Sequence, residues 1–350
     1  MTIKNCIKVG VLGASGYIGL ELLQRLATHP DVELAFISSE SLAGEMPFHI
    51  FPPLRRHDLF KKLTFSKLEN LVETDLIISA LPTGVLPASL PFVLKKTKKI
   101  INISGDFRLD NPENIRKYYP ATSLQSNNIT SKQYFVPGLE HDFSATIINI
   151  SGCMASAAIY AAYPLIKNNL LQSEIIIDAK TGSSGAGAKN GDSHAIRANN
   201  VKPHKLLGHR HGFEVKQYLK KYQSSLENVH MTTTSLDISR GVIVHVHGNL
   251  TRNITMAELE KIYRTTYKNT DYIRIVMGKK GNERLPSIKN VIGTNDCEIA
   301  IAVSDNEQHV VAVATLDNLV KGGAGNAIQA MNEMYQFNAT HGLKSYGVWP

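Results

Sequence analysis

At 350 residues with 43% hydrophobic content the chain can bury a sizeable core, and its length argues for about two domains. A formal charge of +8 predicts a field that attracts anions, yet no basic stripe interleaved with aromatics, zinc finger or RNA-binding signature occurs, which argues against nucleic acid as the partner. Cys6, Cys153 and Cys297 lack any C-x-x-C spacing, so neither a disulfide framework nor a metal site is expected, and no apolar run suits a membrane helix or a signal peptide. The expectation is a soluble, cytoplasmic protein.

Ile7 to Leu12 alternates and is rich in β-branched residues, as a strand does. The run G13-A-S-G-Y-I-G19 then turns into a helix-like segment that stops at Pro30. Val32 to Ser38 reads as a second strand, 75–81 as another, and 99–104 as a further one after a Lys-rich helix. Strands alternating with helical segments predict an α/β class: a parallel, doubly wound sheet of the Rossmann type over 1–150. From 151 to 317 the strands at 175–180, 242–247 and 298–303, with helices between, suggest a mixed sheet in a second α/β domain. The tail 318–350 reads as a C-terminal helix, entered through a Gly-rich turn, that completes the first domain.

Three features carry chemistry. Gly13, Gly16 and Gly19 form a G-x-x-G-x-x-G turn between strand and helix, where glycines let backbone amides approach a pyrophosphate. At the end of the second strand Ser38 and Ser39 can hydrogen-bond a 2′-phosphate, whereas Glu40 turned inward would repel it, so these residues leave NAD against NADP open. Cys153 follows a Gly and opens an Ala-rich helix, where the positive end of the helix dipole favours thiolate over thiol. Downstream, G208-H-R-H211 offers two imidazoles suited to proton transfer at neutral pH. Phosphate and carboxylate require cations, for which Arg108, Lys180, Lys189, Arg197, Arg210 and Arg240 are candidates. The loop T181-G-S-S-G-A-G187 could offer backbone amides as an anion nest.

The segments V9-G-V-L-G-A-S-G-Y-I-G-L-E-L-L, I78-S-A-L-P82, I103-S-G-D-F-R-L109, G152-C-M-A, D178-A-K-T-G-S-S-G-A-G, G208-H-R-H211, G293-T-N295 and D317-N-L-V-K-G322 span nearly the whole chain. In this order they resemble the N-acetyl-γ-glutamyl-phosphate reductase family. The resemblance implies a Rossmann domain plus a catalytic and oligomerisation domain, as in aspartate-semialdehyde and glyceraldehyde-phosphate dehydrogenases. It implies NADP(H)-dependent reductive dephosphorylation of an acyl phosphate to a semialdehyde in arginine biosynthesis, through a thioester on Cys153. In this scheme His209 is the acid and base, with His211 as close competitor. Cofactor contacts fall on Gly13, Ser15, Gly16, Tyr17, Ile18, Ser38, Ser39, Pro82, Gly185 and Asn318, and substrate contacts on Arg108, Arg197, Arg240 and His211. A homodimer or homotetramer is implied.

Some segments depart from the acetylated-substrate branch. G152-C-M-A-S-A157 stands where that branch reads G-C-Y-P-T-A, and F51-P-P-L-R55, S193-H-A-I-R197 and R274-I-V-M-G-K-K-G281 look more like a sister branch. That branch reduces glutamyl or aminoadipyl phosphates carried on an acidic carrier protein in lysine and arginine biosynthesis, and a basic enzyme suits such a carrier through steering. L285-P-S-I-K289 resembles the acetyl branch instead. Two rivals stand further off: an aspartate-semialdehyde-type dehydrogenase, and an idle dinucleotide-binding protein, against which the retained thiol and H-R-H argue.

Overall fold

The computed structural model describes residues 6–124, 131–188, 194–277 and 285–347. Two compact units emerge, one joining Met1–Ser151 with Gly323–Lys344, the other Gly152–Gly322 with Ser345–Pro350.

The first unit is built on seven parallel strands: β1 (Ile7–Leu12), β2 (Val32–Ser38), β3 (Phe65–Ser66), β4 (Leu76–Ser79), β5 (Ile100–Asn102), β6 (Lys132–Phe135) and β7 (Ile147–Ile150). Their order is β3-β2-β1-β4-β5-β7-β6, so the winding reverses between β1 and β4. Ligands of open α/β sheets bind at such a reversal, outside the carboxyl ends of the strands. β4, β5 and β7 are buried along their whole length, as strands covered on both faces must be. Helix α1 (Tyr17–Leu26) buries Leu22, Leu23 and Leu26. Helix α2 (Val85–Val93) ends before the lysines expected to lie on it, and Lys99 Nζ instead donates to the carbonyls of Phe143, Ser144 and Ala145. Helix α3 (Pro112–Tyr118) starts on Asn111, whose side chain accepts from the N–H groups of Glu113 and Asn114.

The second unit holds β8 (Leu171–Thr181), β9 (Lys202–Lys205), β10 (Asn228–Ser235), β11 (Val242–Leu250), β12 (Ile273–Ile275), β13 (Cys297–Val303) and β14 (His309–Leu316). They form a mixed sheet in the order β12-β13-β14-β11-β8-β10-β9. Helix α4 (Cys153–Lys167) packs on β8, β11, β13 and β14, and its run of small residues, buried from Met154 to Ile166, lets it lie close to the sheet. Pro164 denies the Tyr160 carbonyl its helical donor. The Tyr267 hydroxyl supplies one at 2.6 Å. Helix α5 (Arg210–Leu219) packs on α4 and β10, while α6 (Met256–Tyr267) packs on β12 and β13.

The chain returns to the first unit as α7 (Gly325–Met334), which packs on α1 and β5. The helix expected over 318–350 is thus ten residues long, preceded by a π-helical turn at Val320–Ala324. Its end has a local cause. Gln336 adopts φ 56°, and the N–H groups of Gln336 and Phe337 return to the carbonyls of Glu333 and Asn332, a Schellman closure with a residue other than Gly in the left-handed position. Residues 348–350 lie outside the described residues. No helix among the described residues is long and apolar enough to cross a membrane.

Candidate active site

In the first unit the Gly-rich turn sits where β1 feeds α1. Gly13 has φ +72°, and a Cβ there would lie 2.7 Å from the Ala80 carbonyl oxygen, so only glycine closes this turn at the strand reversal. Ser15, Gly16, Tyr17 and Ile18 follow at the surface of the turn, with Tyr17 exposed. Ser15 Oγ and Ser39 Oγ share a hydrogen bond of 2.8 Å, which ties the turn to the end of β2, and the Ala14 N–H donates to the Ser38 carbonyl. Pro82 is exposed beyond β4. Glu40 is turned to the Leu68 N–H, which it accepts at 2.8 Å. Its carboxylate is therefore engaged away from the serines, and the residues present fit a dinucleotide bearing a 2′-phosphate. Arg108 is nearly buried and donates to the Ile103 carbonyl at 2.6 Å. The preceding Phe107 has φ 67°, a left-handed conformation that costs a bulky residue roughly 1–3 kcal/mol and is found at functional sites. Asp106, fully buried, holds this turn by accepting from the Gly84 N–H, Ser104 Oγ and Thr122 Oγ1.

In the second unit Cys153 is the first residue of α4, with Gly152 as its N-cap. Glu214 on α5 is fully buried and accepts the Gly152 N–H at 2.9 Å, while its other oxygen lies 3.9 Å from His211 Nε2. A single carboxylate thus links the backbone in front of the thiol to an imidazole. The π turn closes through the Gly322 N–H donating to the Asp317 carbonyl at 2.8 Å. A Cβ at Gly322 would sit 2.5 Å from the Cys153 Cβ, so this backbone rests directly on the thiol-bearing residue.

The two histidines of H-R-H part company. His209 is the N-cap of α5, and its Nδ1 accepts the His211 N–H at 3.2 Å, which leaves the proton of the neutral ring on Nε2. Burial first, then the charges of Arg210, His204 and Lys205, push its pKa down to about 3. A neutral ring whose free position carries a hydrogen is a donor and a weak base. His209 also lines a cavity of about 190 Å³ with Leu207, Phe213, Lys216 and Met231.

The other predicted cations and loops are largely engaged. Arg240 Nη1 lies 3.3 Å from Asp317 Oδ2, and the buried Asp317 also accepts from the N–H groups of Gly293 and Leu319. Lys180 pairs with Asp178, Arg197 is partly exposed on the turn His194–Arg197, and Arg210 is exposed. Lys189 lies outside the described residues. The 181–187 loop does not form the anion nest considered above. The N–H groups of Gly182, Ser183 and Ser184 donate to the carbonyls of Gly241, Ile238 and Ser239, and those of Gly185 and Gly187 close the turn itself. Asn318, beside Gly185, accepts the Gly241 N–H at 2.7 Å and donates to Ser184 Oγ at 2.9 Å, which makes it a clamp on this loop.

One potential metal set exists among the described residues, His29, Asp31 and His341 in the first unit. Asn332 donates to the Ala339 and His341 carbonyls, so its Oδ1 takes the His29 Nε2–H, and His29 Nδ1 accepts the Asp31 N–H. Both nitrogens of His29 are used, and the trio clasps the segment after α7.

Residues 8–162 match the semialdehyde dehydrogenase NAD-binding domain, and residues 153–318 the semialdehyde dehydrogenase dimerisation domain. The chain is 40% identical to N-acetyl-gamma-glutamyl-phosphate reductase 1 of Lactiplantibacillus plantarum, over 98% of this chain and 100% of that one. The chain belongs to the N-acetyl-γ-glutamyl-phosphate reductase family. The chain is also 35% identical to a LysW-L-2-aminoadipate/LysW-L-glutamate phosphate reductase of Nitrosopumilus maritimus, over 97% of this chain and 98% of that one. Among solved structures, aspartate semialdehyde dehydrogenase II of Vibrio cholerae superposes with a TM-score of 0.71 at 14% identity, covering 95% of this chain and 98% of that one. The Candida albicans aspartate semialdehyde dehydrogenase with NADP gives 0.68 at 13% identity, covering 94% and 98%. These two likenesses establish the fold.

For this family member, sequence reasoning passed over Glu214, Asp317 and Lys321. A signal for Glu214 existed, because a Glu three residues after His211 on one helix shares its face. Asp317 and Lys321 stood inside a quoted motif, but only packing gives them their burial.

Proposed function

We propose that this protein reduces an N-blocked γ-glutamyl phosphate to the semialdehyde with release of phosphate, through a thioester on Cys153. The carrying observation is the Glu214 bridge, which couples the residue before the thiol to His211. The relative in Lactiplantibacillus plantarum, named for the N-acetyl substrate, supports arginine biosynthesis as the setting. NADPH is the reductant, and when bound it supplies the hydride that reduces the thioester. Gly13, Ser15, Gly16, Tyr17 and Ile18 hold its pyrophosphate side, Ser38 and Ser39 its ribose end, and Pro82 flanks it.

Cys153 Sγ attacks the acyl carbonyl, and the bond to the phosphate oxygen breaks as the thioester forms. His211 takes the thiol proton, its positive charge offset by Glu214, and passes it to the departing phosphate, so the leaving group is the hydrogen phosphate dianion. This moves the acid–base role from His209 to His211. His209 acts instead as a hydrogen-bond donor from Nε2 to the oxyanion that develops on the acyl oxygen. When the thiohemiacetal oxyanion collapses, the C–S bond breaks, the aldehyde leaves and the thiolate regains a proton from solvent. Arg108, Arg197 and Arg240 are the proposed anchors for the substrate's phosphate and carboxylate groups. The enzyme works in the cytoplasm as a homodimer or homotetramer.

The relatives named for carrier-linked substrates, together with G152-C-M-A, favour a second reading: the same chemistry on a glutamyl or aminoadipyl phosphate carried by an acidic protein. The test follows NADPH consumption with N-acetyl-γ-glutamyl phosphate generated in place by a kinase, beside Cys153→Ser. Turnover lost in the variant, with dinucleotide binding intact, is the expected result. An inert parent that still binds NADPH would transfer the proposal to the carrier-linked substrate, and a Cys153→Ser variant as active as the parent would end the thioester route.

A further inference from the structure

Lys321 has no exposed surface, and among the described residues it is the one buried lysine. Taking an ammonium out of water costs several kcal/mol unless its surroundings compensate. Two aromatic faces do so here: Nζ lies 5.2 Å from the centre of the Tyr160 ring and 5.6 Å from that of Tyr272, within the range of cation–π attraction. Burial pushes the neighbouring Cys297 thiol up to about 12, even though the Lys321 charge pulls it down, so that sulfur stays neutral.

The position of this cation is informative. Tyr160 stands seven residues after Cys153 on α4, two helical turns or about 10 Å along the axis. It therefore lies on the face that carries the thiol. Tyr160 is itself anchored, since its carbonyl, freed by Pro164, receives the Tyr267 hydroxyl. Lys321 is the residue immediately before Gly322, whose backbone rests on Cys153. The lysine, the π turn and the thiol thus form one packed column along α4.

We propose that Lys321 is a positioning residue for the nucleophile: its ammonium, gripped by Tyr160 and Tyr272, pins the π turn against Cys153 and places a buried positive charge near the thiolate. This rests on Cys153 being the nucleophile. In a partly polar interior of effective dielectric about 20, a unit charge roughly 10–15 Å from an ionising group is worth on the order of one pH unit.

The test is alkylation of Cys153 by iodoacetamide as a function of pH, followed on the Cys153 peptide by mass spectrometry because Cys6 is exposed as well. Lys321→Met removes the charge at similar length, and the midpoint of alkylation is expected to rise by about one pH unit, with kcat at pH 7 lowered roughly tenfold and KM little changed. Lys321→Arg should restore most of the shift, and Tyr160→Phe, which keeps the ring, should resemble the parent. Should Lys321→Met fail to fold, Tyr272→Leu removes one wall of the cage, and its midpoint should rise as well. A folded Lys321→Met or Tyr272→Leu whose profile overlays the parent overturns the proposal. A parent Cys153 that resists alkylation overturns the nucleophile reading instead, and neither readout needs substrate.

Discussion

His209 places an imidazole, ordinarily suited to proton transfer near neutrality, in a buried setting beside positive charge. Its pKa of about 3 lies below the ordinary 6.5, so between these values the unfolded chain binds a proton that the folded one refuses. Stability contributed near neutrality is therefore lost as pH falls through this window. Between pH 6.5 and 5 the parent should lose about 2 kcal/mol more than His209→Gln, measured by urea unfolding at each pH. Equal losses would place the imidazole in water. His245 and His247, whose pKa values burial also lowers, act in the same direction in both proteins and cancel in the comparison. Sequence reading reached the H-R-H motif but could not divide it. The division depends on a cap hydrogen bond and on which ring meets Glu214, and both are consequences of packing.

Among elements, the junction of α4 and α5 is the sensitive one. Glu214→Ala leaves the buried Gly152 N–H without its acceptor, and a loss of about 1–3 kcal/mol is expected in thermal or urea unfolding together with nearly all turnover. Glu214→Gln keeps an acceptor and should unfold near the parent, yet lose roughly tenfold or more in kcat, because an amide cannot offset a positive His211. A Gln variant with parental kcat would reduce the bridge to scaffolding. The elements themselves were mostly legible. β1, the turn and α1 announced themselves by a change of period from two to 3.6, and the apolar runs at 175–180, 242–247 and 298–303 are strands in the structure. A glutamate inside a helix, by contrast, reads as a solvated face, and only the approach of α4 shows that position 214 has no solvent. The end of α7 was illegible for a related reason: Gln336 in a left-handed conformation closes it without the glycine that usually marks such an end.

At the scale of the whole molecule, α4 packs on β8, β11 and β14 of the second sheet, where Ile177, Val246 and Ala312 are buried in one row. The alternate residues form rows such as Ile176, His247 and Val311, or Asp178, His245 and Val313, in direct register. Ile176 is 48% exposed although it is apolar. This face lies within the stretch matched by the dimerisation domain, residues 153–318. Val313→Asp should therefore lower the molecular mass seen by light scattering at micromolar concentration to that of one chain, whereas an unchanged mass would place self-association elsewhere. The first unit has a different peculiarity, since its last helix, α7, is encoded after the long segment Gly152–Gly322 of the second unit. During synthesis the ribosome must add the 171 residues Gly152–Gly322 before α7 can reach α1 and β5. At about 5–20 residues per second that interval is on the order of 10–30 s. Throughout it the nascent nucleotide-binding sheet is unfinished, with the apolar strip meant for α7 open to chaperones or to other growing chains.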